Sequence, residues 1–169
     1  MFEHSIPATI ATLLSSFRVC FSTRGFTSFV ALAIGWILCQ GRHSISRAIQ
    51  AAADVAQSKH HSTLYRFLSR ANWCADAVGA VIFSLVKRYL PFEVTAIVDD
   101  TLCPKSGPHL FGAYMHFDAA RSTYGRGTNA GRQKFFAFGH NWVVLAVWLP
   151  LPWLRTRGIA LPLLFRLCR

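Results

Sequence analysis

The sequence predicts a chain of the α/β (α+β) class, with an N-terminal helical domain over residues 1–90 and the start of a sheet over residues 91–169. Three observations predict it. The first ninety residues carry apolar positions at helical spacing, punctuated by capping residues. At Phe92 the pattern changes to short, β-branched runs separated by glycine and proline. The composition, 53% hydrophobic and 14% aromatic, supplies a packed core and argues against disorder. A length of 169 residues suits one domain, or a small domain plus part of a second.

In chain order, Ile6, Ile10, Leu13, Leu14 and Phe17 mark a helix within residues 6–23. Thr27–Cys39 reads as a second, largely buried helix closed near Gln40-Gly41, where glycine suits a C-cap. Ser44 is placed to N-cap an Ala-rich helix over Ile45–Ala56. Ser62 or Thr63 can cap the next, through Tyr65, Phe67 and Leu68. Asp76–Tyr89 is amphipathic and ends on Lys87-Arg88, a charge that complements a helix C-terminus, before Pro91 closes it. Glu93–Val98 then reads as a buried strand ending in two carboxylates. Residues 103–139 hold six glycines and two prolines and read as loop or irregular hairpin. His140–Leu149 is a second strand and Ala160–Leu167 a third.

Eighteen Lys and Arg against seven Asp and Glu give a net charge of +11. That excess points to a polyanionic partner, nucleic acid or an anionic membrane surface. All seven acids lie at or before Asp118, whereas Ala119–Arg169 holds eight basic residues and no acid. The imbalance leads us to expect a chain that is bound to something or incomplete. Five dispersed cysteines without a CxxC pair argue against a zinc site and a disulfide framework, and read as small buried hydrophobes in a reducing cytosol. Glu3 and His4 stand where a signal peptide would be basic. The apolar run Phe29–Cys39 has eleven residues, where a membrane span needs about twenty. Pro150 and Pro152 interrupt the other long apolar run. A cytoplasmic, nucleoid-associated protein without a membrane span is expected.

The chemistry centres on Val98-Asp99-Asp100-Thr101. Neighbouring strand residues point to opposite faces, so the two carboxylates do not form a side-by-side pair. One of them can project into a site and hold a hard cation such as Mg²⁺ or Mn²⁺, which prefers oxygen ligands. The alternative is a polar strand end opening a turn. Beyond it come Lys105-Ser106-Gly107, then Gly139-His140-Asn141-Trp142-Val143, Pro150-Leu151-Pro152-Trp153 and Ala160-Leu161-Pro162-Leu163. Gly41-Arg42-His43-Ser44 and Tyr65-Arg66-Phe67-Leu68 precede it. This ordered set, from about residue 10 onward, resembles the DDE-type insertion-sequence transposases, in their N-terminal portion.

The resemblance implies an RNase H-like mixed sheet whose acids gather two divalent metals, which clamp the attacking and leaving oxygens of a phosphodiester displacement. It assigns the first metal carboxylate to Asp100, the acid followed by Thr, with Asp99 as a neighbour that orients it. A full set also needs a second Asp and a Glu; Asp118 follows too soon and reads as a loop residue beside Arg121. The expectation is a truncated catalytic domain, inactive alone in DNA cleavage and strand transfer. DNA (the element ends) is the expected partner, with self-association or pairing with a full-length transposase. Candidate DNA contacts are Lys105, Arg121, Arg126, Arg132 and Lys134 after the strand, and Arg42, Arg47, Arg66 and Arg70 in the helical part. For each the alternative is a solvated surface charge. A noncatalytic DNA-binding or regulatory protein is the second reading, and a basic membrane-associated protein, prompted by the positive mean hydropathy, the third.

Overall fold

The computed structural model describes residues 7–41, 43–52, 60–107, 109–119, 121–122, 135–151 and 157–168. The chain divides into two compact units, Met1–Val81 and Ile82–Arg169. Helices come first and strands follow, as the residue pattern predicts.

Helix α1 (Ala8–Ser15) runs into a 3-10 turn, Ser16–Cys20, so the first apolar stretch is broken. Side-chain hydroxyls compete for its carbonyls: Thr12 Oγ1 donates to Ala8 O at 2.8 Å and Ser15 Oγ to Thr12 O at 2.7 Å. Helix α2 (Thr23–Leu38) begins four residues before the expected Thr27 because Ser22, in extended conformation, accepts the Gly25 N–H through its side chain. Gly41, at φ +82°, turns the chain beyond its end. The buried positions of α2 (Ser28, Ala31, Leu32, Ile34 and Gly35) fall at helical spacing. A Cβ on Gly35 would collide with the Ala48 carbonyl of α3 (Ile45–Ala51), so glycine here lets the two helix backbones approach.

Ser44 caps α3 as expected, its side chain accepting the Arg47 N–H at 3.3 Å. The continuation toward Ala56 lies outside the described residues. Helix α4 (His61–Arg70) is capped by neither Ser62 nor Thr63. His60 does it, its Nδ1 accepting the Ser62 N–H at 3.3 Å in the place a serine oxygen would take. Ala31, Leu32, Ala52, Leu64 and Phe67 form the core of this unit. Phe21 stacks on Phe29 at 4.7 Å and Phe67 on Trp73 at 5.9 Å, and Trp73 Nε1 donates to Phe67 O. Helix α5 (Ala75–Val86) carries Asp76 in its first turn and passes into a 3-10 turn, Lys87–Tyr89.

The second unit contains β1 (Ala96–Pro104), β2 (Tyr114–Phe117), β3 (Phe136–Pro150) and β4 (Gly158–Cys168). Central β3 pairs with β1 along one edge. Along its other edge, β2 covers Phe136–Gly139 and β4 covers Asn141–Pro150. All pairings among the described residues are antiparallel, so the parallel pairing of a mixed sheet is not among them. Strand β2, four residues inside the stretch read as loop, is too short to leave a periodic signature. The β3–β4 ladder bulges at Leu145/Ala146, beside Pro162, which lacks a ladder donor.

Strand β1 starts later and runs further than the β-branched run suggests, so Asp99 and Asp100 lie at its centre and not at its end. The fifteen-residue β3 supplies partners as far as Gly139, and both carboxylates are exposed, which removes the burial penalty that keeps Asp out of strands. The Trp148 N–H donates to Thr95 O and the Lys105 N–H to Phe138 O, both at 2.9 Å. Odd-numbered residues between them therefore exchange bonds with β3, while even-numbered amides face the open edge. Pro104 sits at an even position and forfeits no ladder bond.

The cysteines depart from the sequence reading. Cys39 alone is buried; Cys20 and Cys103 are half-buried and Cys74 and Cys168 exposed. None of the five is in a disulfide.

Candidate metal and nucleic-acid site

Alternation along β1 separates the two carboxylates. Asp99 shares a face with Thr101 and Cys103, and across the ladder with His140 and Trp142. Asp100 shares the opposite face with Leu102 and Val98, and across the ladder with Asn141 and Val143. Their hydrogen bonds give them different tasks. Asp99 Oδ1 accepts the Asp100 N–H at 2.9 Å, an amide that faces the open edge and has no ladder partner. Asp99 is thus a local backbone cap on an edge strand. Asp100 Oδ2 accepts Asn141 Nδ2 at 2.9 Å, a cross-strand bond that fixes the carboxylate on an exposed sheet face.

Asn141 has a second feature. Its Oδ1 is buried and lacks a hydrogen-bond partner; among the described residues only His116 Nε2 shares that condition. His116 pairs with Ala137, four residues along β3 from Asn141, so the two atoms are separated by about 13 Å of strand. Arg166 also lies on the Asp100 face: Asp100 pairs with Val143, and Val143 with Arg166. Two strand spacings, about 10 Å, separate Asp100 and Arg166. The Arg166 Nη1 donates to Phe165 O at 2.9 Å.

An exposed carboxylate suits a hard cation, which takes carboxylate, amide and water oxygens, but the group that Asn141 turns toward Asp100 is its N–H₂, with Oδ1 buried. The described residues contain no cluster of three or more His, Cys, Asp and Glu able to hold a metal. Asp100 would contribute a single charged oxygen ligand to a Mg²⁺-like ion, which would need waters and substrate phosphates for the rest of its shell.

The Gly-His-Asn-Trp segment divides between the faces. Gly139 is buried, and a Cβ there would run into the Cys103 carbonyl, so glycine lets β3 lie against β1. His140 Nε2 bonds Phe111 O at 2.9 Å, tying the segment before β2 to the sheet, and its ring meets Trp142 edge-on at 6.3 Å. Three residues of the motif are therefore architectural, and Asn141 alone reaches the carboxylate.

The remaining candidates fall as follows. Lys105 extends the ladder and by alternation lies on the Asp99 face, about 16 Å of strand beyond Asp100. Asp118, 8% exposed, accepts the Arg121 N–H on Oδ1 at 3.0 Å, and its carbonyl accepts both the N–H and the Oγ of Ser122. It is a loop-forming residue, bonded to the Arg121 backbone. Arg121 itself is exposed. Arg42, Arg126, Arg132 and Lys134 lie outside the described residues. Arg47 Nη1 reaches Gln40 O at 3.5 Å. Arg66 and Arg70 line a recess of about 390 Å³ with Ser22, Thr63 and Arg24. Sequence reasoning missed Arg24, which joins them because α2 starts at Thr23; Ser22 as N-cap was the available signal. No helix among the described residues is long and apolar enough to cross a membrane.

The family model of the DDE superfamily endonucleases matches residues 16–158. The chain belongs to that superfamily. No curated protein and no solved structure matches it. The matched span of this DDE endonuclease chain takes in α2 to α5, the Asp99-Asp100 strand and all of β3. The family acts on DNA, generally with divalent metals.

Proposed function

We propose that the chain is a transposase-type DDE endonuclease polypeptide that binds DNA at element ends, with residues 1–90 as a DNA-binding unit and residues 91–169 carrying the first carboxylate of the metal site. The observation that carries this reading is the family match over residues 16–158 around an exposed mid-strand Asp100 held by Asn141. Asp100 is the ligand for Mg²⁺ or Mn²⁺, and Asp99 supports it by capping its amide. When bound, such ions polarise phosphodiester oxygens and activate the attacking hydroxyl or water. Asp100 contributes one charged ligand and Asn141 its orientation. Arg24, Arg66, Arg70, Arg121 and Arg166 contribute phosphate contacts, with Arg42, Arg47, Lys105, Arg126, Arg132 and Lys134 as further candidates. Self-association, pairing with a longer transposase and a nucleoid location belong to the same reading.

With one carboxylate at the site, this polypeptide alone does not cleave or join DNA. A supercoiled plasmid incubated with the protein and Mn²⁺ should stay supercoiled; nicking abolished by Asp100→Ala would overturn the claim. DNA binding should fall linearly in log K against log salt as phosphate contacts release counterions. A noncatalytic DNA-binding role is the second reading, favoured by the absence, among the described residues, of a three-ligand metal cluster. DNA affinity unaffected by Mg²⁺ and by Asp100→Ala supports it over the first.

A further inference from the structure

We propose that the recess between α2 and α4 seats a single DNA backbone phosphate, held jointly by Arg24, Arg66 and Arg70; the proposal rests on the reading of residues 1–90 as a DNA-binding unit. Three observations carry it. The recess, about 390 Å³, is lined by those three arginines with Ser22 and Thr63, and no Asp or Glu is among its lining residues. Its side chains are therefore rich in donors and offer no carboxylate, the complement of a phosphate. These five residues are exposed, whereas Ser28 and Phe67, which line it beneath them, are 2% and 6% exposed. Ser28 Oγ donates to Arg24 O at 3.2 Å, and Phe67 belongs to one core with Leu32 of α2 and Leu64 of α4. The floor is thus closed by packing, and the two helices that carry the donors are fixed to each other.

Helical spacing brings the donors to one place. Thr63, Arg66, Phe67 and Arg70 recur at three- and four-residue intervals and share a face of α4, and Ser22, Gly25 and Ser28 do the same where α2 begins. Arg66 and Arg70 stand about one turn apart, roughly 6 Å along the axis, and Arg24 lines the same recess from α2. A guanidinium presents a planar fork of donors that takes phosphate oxygens two at a time, and several forks can share the oxygens of one phosphate. Each arginine by itself is an exposed charge, and a single exposed ion pair contributes little, whereas several charges around one anion form a network. The three hold the phosphate together, so losing any one of them releases it. A backbone phosphate carries no base identity; the seat therefore positions α4 on DNA without selecting a sequence.

The test uses the whole chain and a fluorescein-labelled duplex of mixed sequence, with affinity measured across a salt series. Wild type is compared with Arg24→Gln, Arg66→Gln, Arg70→Gln, the triple variant, and Lys87→Gln, which removes an equal charge outside the recess. All the replaced residues are exposed, so the helical core is left intact. Each single recess variant should bind about tenfold more weakly at low salt, the order expected for charge-assisted hydrogen bonds to one group. Its slope of log K against log salt should shrink by about one. The triple variant should also lose about one unit of slope, because the same phosphate is lost each time, and Lys87→Gln should lose less affinity than any recess variant. Inorganic phosphate, titrated against sodium chloride at constant ionic strength, should shift the guanidinium N–H resonances of Arg24, Arg66 and Arg70 in wild type and leave the remaining two unmoved in each single variant. A loss of about three units of slope in the triple variant means three separate contacts; it overturns the shared seat and leaves the DNA reading standing. Unchanged binding in the single variants, an equal loss in Lys87→Gln, or guanidinium resonances indifferent to phosphate also overturns the seat. Poly-glutamate that moves those resonances at lower concentration than the duplex does assigns the recess to an acidic peptide and overturns DNA as its occupant. A wild type that fails to bind the duplex overturns the DNA-binding reading itself.

Discussion

Replacing Gly139 by Ala should loosen the strand pair that carries Asp100, and the structure gives the size of the effect. The added Cβ would meet the Cys103 carbonyl oxygen and lie 2.9 Å from Pro104 Cα, both backbone atoms that cannot swing aside as a side chain can. The β1 and β3 backbones must therefore separate at the Pro104–Gly139 and Cys103–His140 pairs. Overpacking a well-packed site by a methyl group costs typically about 1–3 kcal/mol. The carbonyl contact also bends the nearest ladder bond, which places the expected cost in the upper half of that range. Denaturant unfolding should show it as a lower midpoint. Hydrogen exchange should localise it to the ladder amides of Thr101, Cys103 and Lys105, with smaller effects toward Ile97. A midpoint within about 0.5 kcal/mol of wild type, the usual scatter for a neutral surface change, together with unchanged exchange at those amides, would refute the close-approach argument for this glycine.

Leu64 is fully buried in the helical core, so Leu64→Ala should cost about 2–5 kcal/mol of that unit's stability, read from its thermal or denaturant transition. Ser22→Ala removes the side-chain cap of α2 and should cost about 1 kcal/mol, with the loss of helix signal confined to its first turn. Substituting Arg24, Arg66 and Arg70 singly by Gln should weaken DNA binding for all sequences alike and shallow the salt slope by about one per phosphate contact removed; an unchanged slope removes the recess from the interface. Burial, and secondarily the neighbouring Cys74 thiol, raise the Cys20 pKa. At pH values below that raised pKa, Cys20 holds less thiolate than an unperturbed cysteine and should alkylate more slowly than exposed Cys168.

What was legible in the sequence follows the physics of each signal. Helices α2 and α4 showed through because a 3.6-residue period over ten or more residues is hard to mimic. Their starts differ from the sequence expectation where the caps do: Ser22 caps ahead of Thr27, and His60 is not a customary capping residue. Strand β2 and the reach of β1 past Asp100 were hidden because pairing to a long β3, not local propensity, creates them. Asp100 is singled out by the resemblance, as the acid followed by Thr, while alternation shows only that it and Asp99 face opposite ways. In the sequence Asn141 stands out only as part of a motif. Its hydrogen bond spans 41 residues, and only the register of two strands brings it to the carboxylate. Arg166 and Arg24 were missed for the same reason, since their places depend on a sheet face and a helix start that composition does not encode.

We propose that a divalent cation binds at Asp100. Paramagnetic broadening by Mn²⁺ in amide correlation spectra of the whole chain tests it most directly, because the effect falls steeply with distance and is read residue by residue. Broadening should centre on Asp100, Thr101, Asn141 and Val143, be absent in Asp100→Ala and be retained in Asp99→Ala. Broadening centred elsewhere, or undiminished in Asp100→Ala, would contradict it.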